Sequence, residues 1–180
     1  MLMTGKYRKS LGQKFGIVPP EVYAAMKGYP RIWIHAVSVG EVTAAAPVLA
    51  SLREHLPDAC IVLSTSTETG QEMARKICPA ATAFIYYPLD FPWVVKKVVG
   101  SVKPDMVVLV ETELWPHFIR TSRDTGAKIV MINGRISPRS FKRYKLTSFF
   151  WKKILSDIVE IGAISVIDAE RLKAMGMAES

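Results

Sequence analysis

From residue 31 onward, apolar and polar positions alternate with a regular beat. "IWIHAV" (Ile32–Val37) is an apolar run of strand length, and after it Val42, Ala45, Val48, Leu49 and Leu52 fall on one face of a helix over Glu41–Leu56. The pair then repeats. "CIVLST" (Cys60–Thr65) reads as a strand and Thr69–Ile77 as a helix; "TAFIYYP" is a third strand and Phe91–Val102 an amphipathic helix. "MVVLVE" (Met106–Glu111) is a continuous apolar run, as expected of a strand covered on both faces, and a helix over Trp115–Asp124 follows. "KIVMIN" is a fifth strand, Phe141–Ile158 one long basic and aromatic helix, and "IGAISV" a sixth strand. Asp168–Met175 begins a last helix with Asp168 as its cap. The first thirty residues follow neither period: they are loop-rich, with "VPP" as a breaker.

Strand then helix, six times over, predicts an α/β fold: a Rossmann-like parallel sheet with helices on both faces and right-handed crossovers. It would occupy residues 31–180, with residues 1–30 as a basic N-terminal segment. In the doubly wound order 3-2-1-4-5-6 the first and fourth strands are neighbours, and ligands bind in the crevice at their carboxyl ends. The first strand leads into "SVGE" with Glu41, and the fourth into "VETELWP" with Glu111 and Glu113. Two acidic segments therefore meet at the switch point of the sheet. An acid on the first turn of a helix is stabilising by itself; that accounts for Glu41 alone and does not predict the convergence.

Each candidate has a plain structural reading beside the chemical one. Gly40 can serve a tight turn, or let a ligand approach the backbone, while Glu41 can answer the helix dipole or accept a proton from an attacking hydroxyl. Glu111 ends a buried strand, where a carboxylate is costly unless it has a partner or a task. In "STSTETG" (Ser64–Gly70), Thr67 or Thr69 can cap a helix, or contribute with neighbouring amides to a phosphate or sugar site. In "NGRISPRS", Asn133 and Arg135 would face the same crevice as Glu41; Arg135 can hold an anion or neutralise a carboxylate, and an ordinary turn fits equally well. His35 reads as a core histidine and His117 as an ordinary helix residue. "SVGEVTAA" has one glycine, so the dinucleotide fingerprint is absent and no cofactor is expected.

Charge narrows the class of partner. The chain has 180 residues, a net charge of +8 and 49% hydrophobic residues, so it is an ordinary folded domain suited to an anionic partner. Cys60 and Cys78 form no CxxC pair and have no histidine at ligand spacing, which argues against a zinc site and favours a reducing compartment. No apolar run is long enough to cross a bilayer. "RSFKRYKLTSFFWKK" (Arg139–Lys153) is basic, aromatic and free of acids. It fits a solvated face, or a surface that lies against anionic lipid. No nucleic-acid signature accompanies it, so no nucleic acid is expected as a partner.

Taken in order, "GKYRKSLGQKFG", "WIHAVSVGEVTAAAPVL", "STSTETG", "VETELWP" and "NGRISPRS" resemble 3-deoxy-D-manno-octulosonic acid (Kdo) transferases, glycosyltransferases of lipopolysaccharide synthesis. The resemblance runs from about Gly5 to the end of the chain and covers the amino-terminal, acceptor-side half of a two-lobed GT-B arrangement. It implies that Glu41 is the general base and Glu111 a transition-state stabiliser. Ser38, Gly40, Thr67, Asn133 and Arg135 would then contact substrate. It further implies transfer from CMP-Kdo to a lipid A precursor, with inversion and no metal, on the cytoplasmic face of the inner membrane of a Gram-negative bacterium. The family's membrane-anchoring helix and its CMP-Kdo-binding half have no counterpart in this sequence, so the chain alone is expected to bind and not to catalyse. His117 stands where "WPN" is more usual, and Gly134 where "NAR" is. A basic module that holds an anionic lipid or RNA without catalysis, or a GT-B enzyme with another acceptor, are the alternatives.

Overall fold

The structure is a computed structural model that describes residues 5–176; the side chains of residues 5–9 and of residue 145 are outside the description. Lys6, Arg8 and Lys9 of the expected basic N-terminal segment therefore lie outside the described side chains. The elements in order are α1 (Gly5–Lys14), α2 (Pro20–Ala24), β1 (Arg31–His35), α3 (Val39–His55), β2 (Cys60–Thr65), α4 (Glu68–Ile77), β3 (Ala83–Tyr86) and α5 (Pro92–Val102). They continue with β4 (Met106–Val110), α6 (Pro116–Asp124), β5 (Lys128–Gly134), α7 (Pro138–Leu146), α8 (Ser148–Leu155), β6 (Glu160–Ala163) and α9 (Val166–Ala174). The sheet is parallel throughout, in the order β3-β2-β1-β4-β5-β6. The fold class and strand order are those expected from the alternation of apolar runs, and β1 lies beside β4.

Two apolar layers cover the sheet. Trp33, Val62, Val107 and Leu109 face one side, against Val94, Val98, Phe118, Ile119, Ile154 and Leu155 of α5, α6 and α8. Ile32, Ile34, Ile61, Leu63 and Val108 face the other, against α3 and α4. Side chains alternate along each strand, so one apolar run supplies both layers, and β2 is buried at every position. Each large apolar side chain removed from water contributes roughly 1.5–3 kcal/mol. Trp33 and Phe118 add an edge-to-face contact at 4.8 Å, and the Trp33 indole N–H donates to Ser64 Oγ at 2.8 Å.

Four local expectations are corrected. The loop-rich first thirty residues contain α1 and α2, which pack by the β3 edge and place Val18 and Met26 in the core. The single helix expected over Phe141–Ile158 is broken at Thr147, whose φ of −118° and ψ of 30° end α7 and begin α8. The break lets the rings of Tyr144 and Trp151 meet edge to face at 4.7 Å, while Ile154 and Leu155 enter the core. Asp168 does not cap α9; Ser165 does, its Oγ accepting the Asp168 N–H at 3.1 Å. Gly40 makes no sharp turn. It is the second residue of α3, and a Cβ there would meet only Ser38 Oγ, at 3.9 Å.

Candidate active site

Ser38 and Glu41 open α3 as a reciprocal pair. Ser38 Oγ accepts the Glu41 N–H at 3.5 Å, and Glu41 Oε1 accepts the Ser38 hydroxyl at 2.9 Å. Glu41 Oε2 accepts the Val37 N–H at 2.7 Å. This is a variant of the capping box, in which the first-turn acid returns to the Val37 N–H, one residue ahead of the N-cap, and to the Ser38 hydroxyl. The local explanation for Glu41 therefore holds, and it fixes the carboxylate in one orientation. The residue is only 6% exposed. Burial raises its pKa above the ordinary 4.5; the bonds from Val37 and Ser38 oppose the rise, and the charge of Glu111 adds to it.

The second acidic segment shares that electrostatic field. Glu113 is raised chiefly by burial and next by the charge of Glu41, and its Oε2 accepts the Trp115 indole N–H at 2.9 Å. Glu111 has φ of +63° immediately after β4, a backbone conformation that costs a non-glycine residue on the order of 1 kcal/mol or more. Its N–H still donates to Ile132 O at 2.9 Å, so the ladder with β5 continues to the last residue. Oε2 of Glu111 is held by Nε and Nη2 of Arg135, each at 3.0 Å. The fourth and fifth strands thus deliver a carboxylate and a guanidinium to one point, as their neighbouring positions require.

The remaining candidates are placed less uniformly. Thr67 caps α4, its Oγ1 accepting the Gly70 N–H at 3.0 Å and donating to Val37 O at 3.4 Å, which links it to the loop that holds Glu41. Gly70 makes this approach feasible, since a Cβ there would lie 2.8 Å from Thr67 Oγ1 and 3.2 Å from Val37 O. Asn133 is exposed, with φ of +58°, in the irregular stretch where β5 pairs with β6. His35 is fully buried, stacked on Tyr87 at 3.7 Å, with Nδ1 3.0 Å from Ser64 Oγ; burial lowers its pKa to about 3, so it is neutral. A cavity of about 480 Å³ opens at the Glu111–Arg135 pair. Glu111 and Arg135 line it together with Glu113, Tyr144 and Arg171, whereas Ser38, Gly40, Glu41, Thr67 and Asn133 are not among its lining residues.

Two contributors escaped sequence reasoning. Asp90 accepts the N–H groups of His117 and Phe118, at 3.1 and 2.8 Å, and so caps α6 from a loop 28 residues away from Phe118. No local pattern announces such a cap. No local pattern marks Arg171 either, because α9 reaches the cavity through the pairing of β6 with β5. The two departures from the usual pattern are explained locally. His117 is exposed and meets Asp90 through its backbone. At Gly134 a Cβ would come within 3.3 Å of both Leu172 Cδ1 and Met131 Sδ, so glycine suits the packing of this chain.

The family model for 3-deoxy-D-manno-octulosonic-acid transferase matches residues 9–180. The chain belongs to the Kdo transferase family. It is 34% identical to the Kdo transferase of Chlamydia pneumoniae over 180 residues, covering 99% of this chain and 40% of the relative. To that of Chlamydia trachomatis serovar D it is 40% identical over 143 residues, 78% of this chain and 32% of the relative. To that of Haemophilus influenzae it is 32% identical over 171 residues, 95% of this chain and 39% of the relative. The chain therefore spans well under half the length of these Kdo transferases, and the resemblance drawn from the sequence motifs is borne out.

Proposed function

We propose that this chain is the acceptor-side half of a Kdo transferase that moves Kdo from CMP-Kdo to a hydroxyl of a phosphorylated lipid A precursor. The observation that carries the reading is the shared field of Glu41, Glu111 and Glu113 at the carboxyl ends of neighbouring strands, with one of the three buried and raised in pKa. Glu41 accepts the proton of the acceptor hydroxyl as its oxygen bonds to the anomeric carbon of Kdo. The bond from that carbon to the CMP phosphate oxygen breaks, and the electron pair leaves with CMP. Ser38 and the Val37 amide aim the carboxylate, and the open space over Gly40 admits the acceptor. Glu111, steadied by Arg135, faces the positive charge that develops on the sugar. Thr67 and Asn133 stand at the margin of the acceptor path. Inversion follows from a single displacement, and no step calls for a metal. The donor nucleotide belongs to the other half of the enzyme. Assay of the complete protein with CMP-Kdo and a lipid A precursor tests the reading: transfer of Kdo is expected, and its absence overturns it.

Surface chemistry supports a location at an anionic membrane, the inner membrane of the bacterium. Among the described residues no helix is long and apolar enough to cross a bilayer, so contact through them would be peripheral. The α7–α8 corner exposes Leu146 and Phe149, 86% and 84% accessible, with Phe150 beside them. Arg139, Lys142, Arg143, Lys152 and Lys153 are exposed on the same two helices. A second exposed aromatic pair, Phe91 and Trp93, stacks at 5.1 Å at the start of α5, and Phe15 and Ile17 are exposed as well. The Leu89 N–H ties this segment to Lys14 O at 2.8 Å. Exposed aromatics framed by lysine and arginine suit the headgroup boundary of a bilayer.

The 180-residue chain should accordingly co-sediment with vesicles that contain anionic lipid. Each basic residue at such a surface contributes about 1 kcal/mol, screened by salt. Binding should fall as ionic strength rises, and should weaken further in Arg143→Glu. Salt-insensitive binding would defeat the electrostatic part. CMP should bind this chain poorly in calorimetry, and tight binding would place a donor site where none is proposed.

A further inference from the structure

The transfer proposed above uses Glu111 and Arg135 from the walls of the 480 Å³ cavity and leaves Glu113, Ser140, Tyr144 and Arg171 without a task. We infer that this cavity is a subsite for a sugar ring that carries an anionic group, a phosphate monoester or a carboxylate. Arg171 and Arg135 would hold the anion, and Glu113, Ser140 and Tyr144 would receive the ring. The inference deepens the acceptor-side reading and rests on it for the identity of the sugar, while the site itself is argued from its walls.

Size comes first. The volume falls within the range of small-molecule pockets and is ample for one sugar ring with a substituent. Charge comes next. Asp168 also lines the cavity, but its carboxylate is committed: Oδ1 accepts the Ile136 N–H at 2.8 Å and Oδ2 accepts the Ser165 hydroxyl at 2.5 Å. These bonds hold its pKa below the ordinary range, with the Ser165 hydroxyl contributing most. Arg171 is 3.7 Å from Asp168 and donates through Nη1 to Ile136 O at 2.8 Å. Arg135 directs Nε and Nη2 at a single oxygen of Glu111. A guanidinium has five N–H donors, so each arginine retains donors beyond these bonds among the described residues. Two such forks at one cavity fit the oxygens of a phosphate or carboxylate bidentately.

The remaining walls suit a ring with hydroxyls and suit a bare anion less well. Glu111 Oε1 makes no hydrogen bond among the described residues, and Glu113 uses Oε2 on Trp115; carboxylate oxygens of this kind accept from sugar hydroxyls. Ser140 donates no backbone hydrogen to the cavity, since its N–H is taken by Ser137 Oγ at 3.1 Å, but its hydroxyl lies on the wall. Tyr144 is braced edge to face by Trp151, which gives the cavity a fixed aromatic side. Inorganic phosphate would engage the arginines and leave the acids facing its charge.

The 180-residue chain should be titrated by calorimetry with glucosamine 1-phosphate, 3-deoxy-octulosonate, glucosamine and inorganic phosphate. One or both anionic sugars should bind at least tenfold more tightly than glucosamine or inorganic phosphate, since each charged hydrogen bond lost is felt at about that level. A preference for the first assigns the subsite to a phosphate of the acceptor, and a preference for the second to the carboxylate of the transferred sugar. Arg171→Gln should weaken binding at least tenfold, with Arg171→Lys recovering part of the loss. Ser140→Trp, which fills the cavity from its wall, should abolish binding if Arg171→Gln proves unfolded. Failure of both sugars to bind, equal binding by inorganic phosphate, or sugar binding unchanged in Ser140→Trp would overturn the inference. Sugar binding here together with normal turnover of the Glu41→Gln enzyme would overturn the base assignment alone. Transfer by the complete enzyme with no sugar binding here would overturn the subsite alone.

Discussion

Replacing Glu41 by glutamine in the complete transferase should lower the rate of Kdo transfer by roughly 100- to 10,000-fold, the usual contribution of a general base. The amide cannot take a proton, yet it keeps the shape and most of the local bonding. Glutamine can still accept the Val37 N–H and meet the Ser38 hydroxyl, the two partners that hold the native side chain. Stability should not suffer. The pKa of Glu41 is raised in the folded chain, chiefly by burial. A raised carboxylate contributes stability below its ordinary pKa and loses it as pH rises through the folded value. At neutral pH, then, the charge opposes folding, and its removal should leave the melting temperature equal or higher. The same shift sets the pH profile: the native rate should begin to fall, on acidification, at a pH above that of an ordinary glutamate. Near-normal turnover in Glu41→Gln would sink the assignment.

Acid should weaken the fold through His35. The ring is buried and neutral, with its pKa lowered from 6.5 to about 3. For a group depressed in this way, the stabilisation is complete above the unfolded value and is lost as pH falls towards the folded one. The loss runs at roughly 1.4 kcal/mol per pH unit, or about 3 kcal/mol between pH 7 and pH 4. The carboxylates of buried Glu41 and of half-buried Glu113 and Asp90 are raised, and they act with the opposite sign. A single variant separates the two effects. His35→Phe keeps a ring against Tyr87 and removes the titrating group, and Ser64 Oγ keeps the Trp33 indole as a partner. Urea midpoints at pH 7, 5 and 4 should show the native chain losing more stability than His35→Phe over that interval. Parallel curves would show that His35 is not the group that resists protonation.

The acidic convergence at Glu41 and Glu111 is legible in the sequence because strand order is a consequence of the alternation. Six apolar runs separated by helical periods leave few topologies, and the common doubly wound one makes the first and fourth strands neighbours. "SVGE" also contained more than was read from it: serine followed three residues later by glutamate is the pattern of a capping box, and it starts α3 at Val39. "SVID" (Ser165–Asp168) has the same spacing at the other end, where Ser165 and Asp168 begin α9. Gly40 misled because glycine suggests a turn, whereas its backbone is helical and its exposure only leaves space above the chain.

By itself the sequence determined what depends on neighbours along the chain: the strands and most helices, the parallel order, the two-sided core, and the family. Periods of 2 and 3.6 residues and short-range capping are local, so a linear reading recovers them. Tertiary structure alone decided what depends on residues far apart. It set the pairing of Glu111 with Arg135, the cap of α6 by Asp90, and the break at Thr147 that lets Tyr144 meet Trp151. It also brought Arg171 to the cavity, and it set the pKa values of Glu41 and His35, because burial is a property of the packed interior and not of the residue.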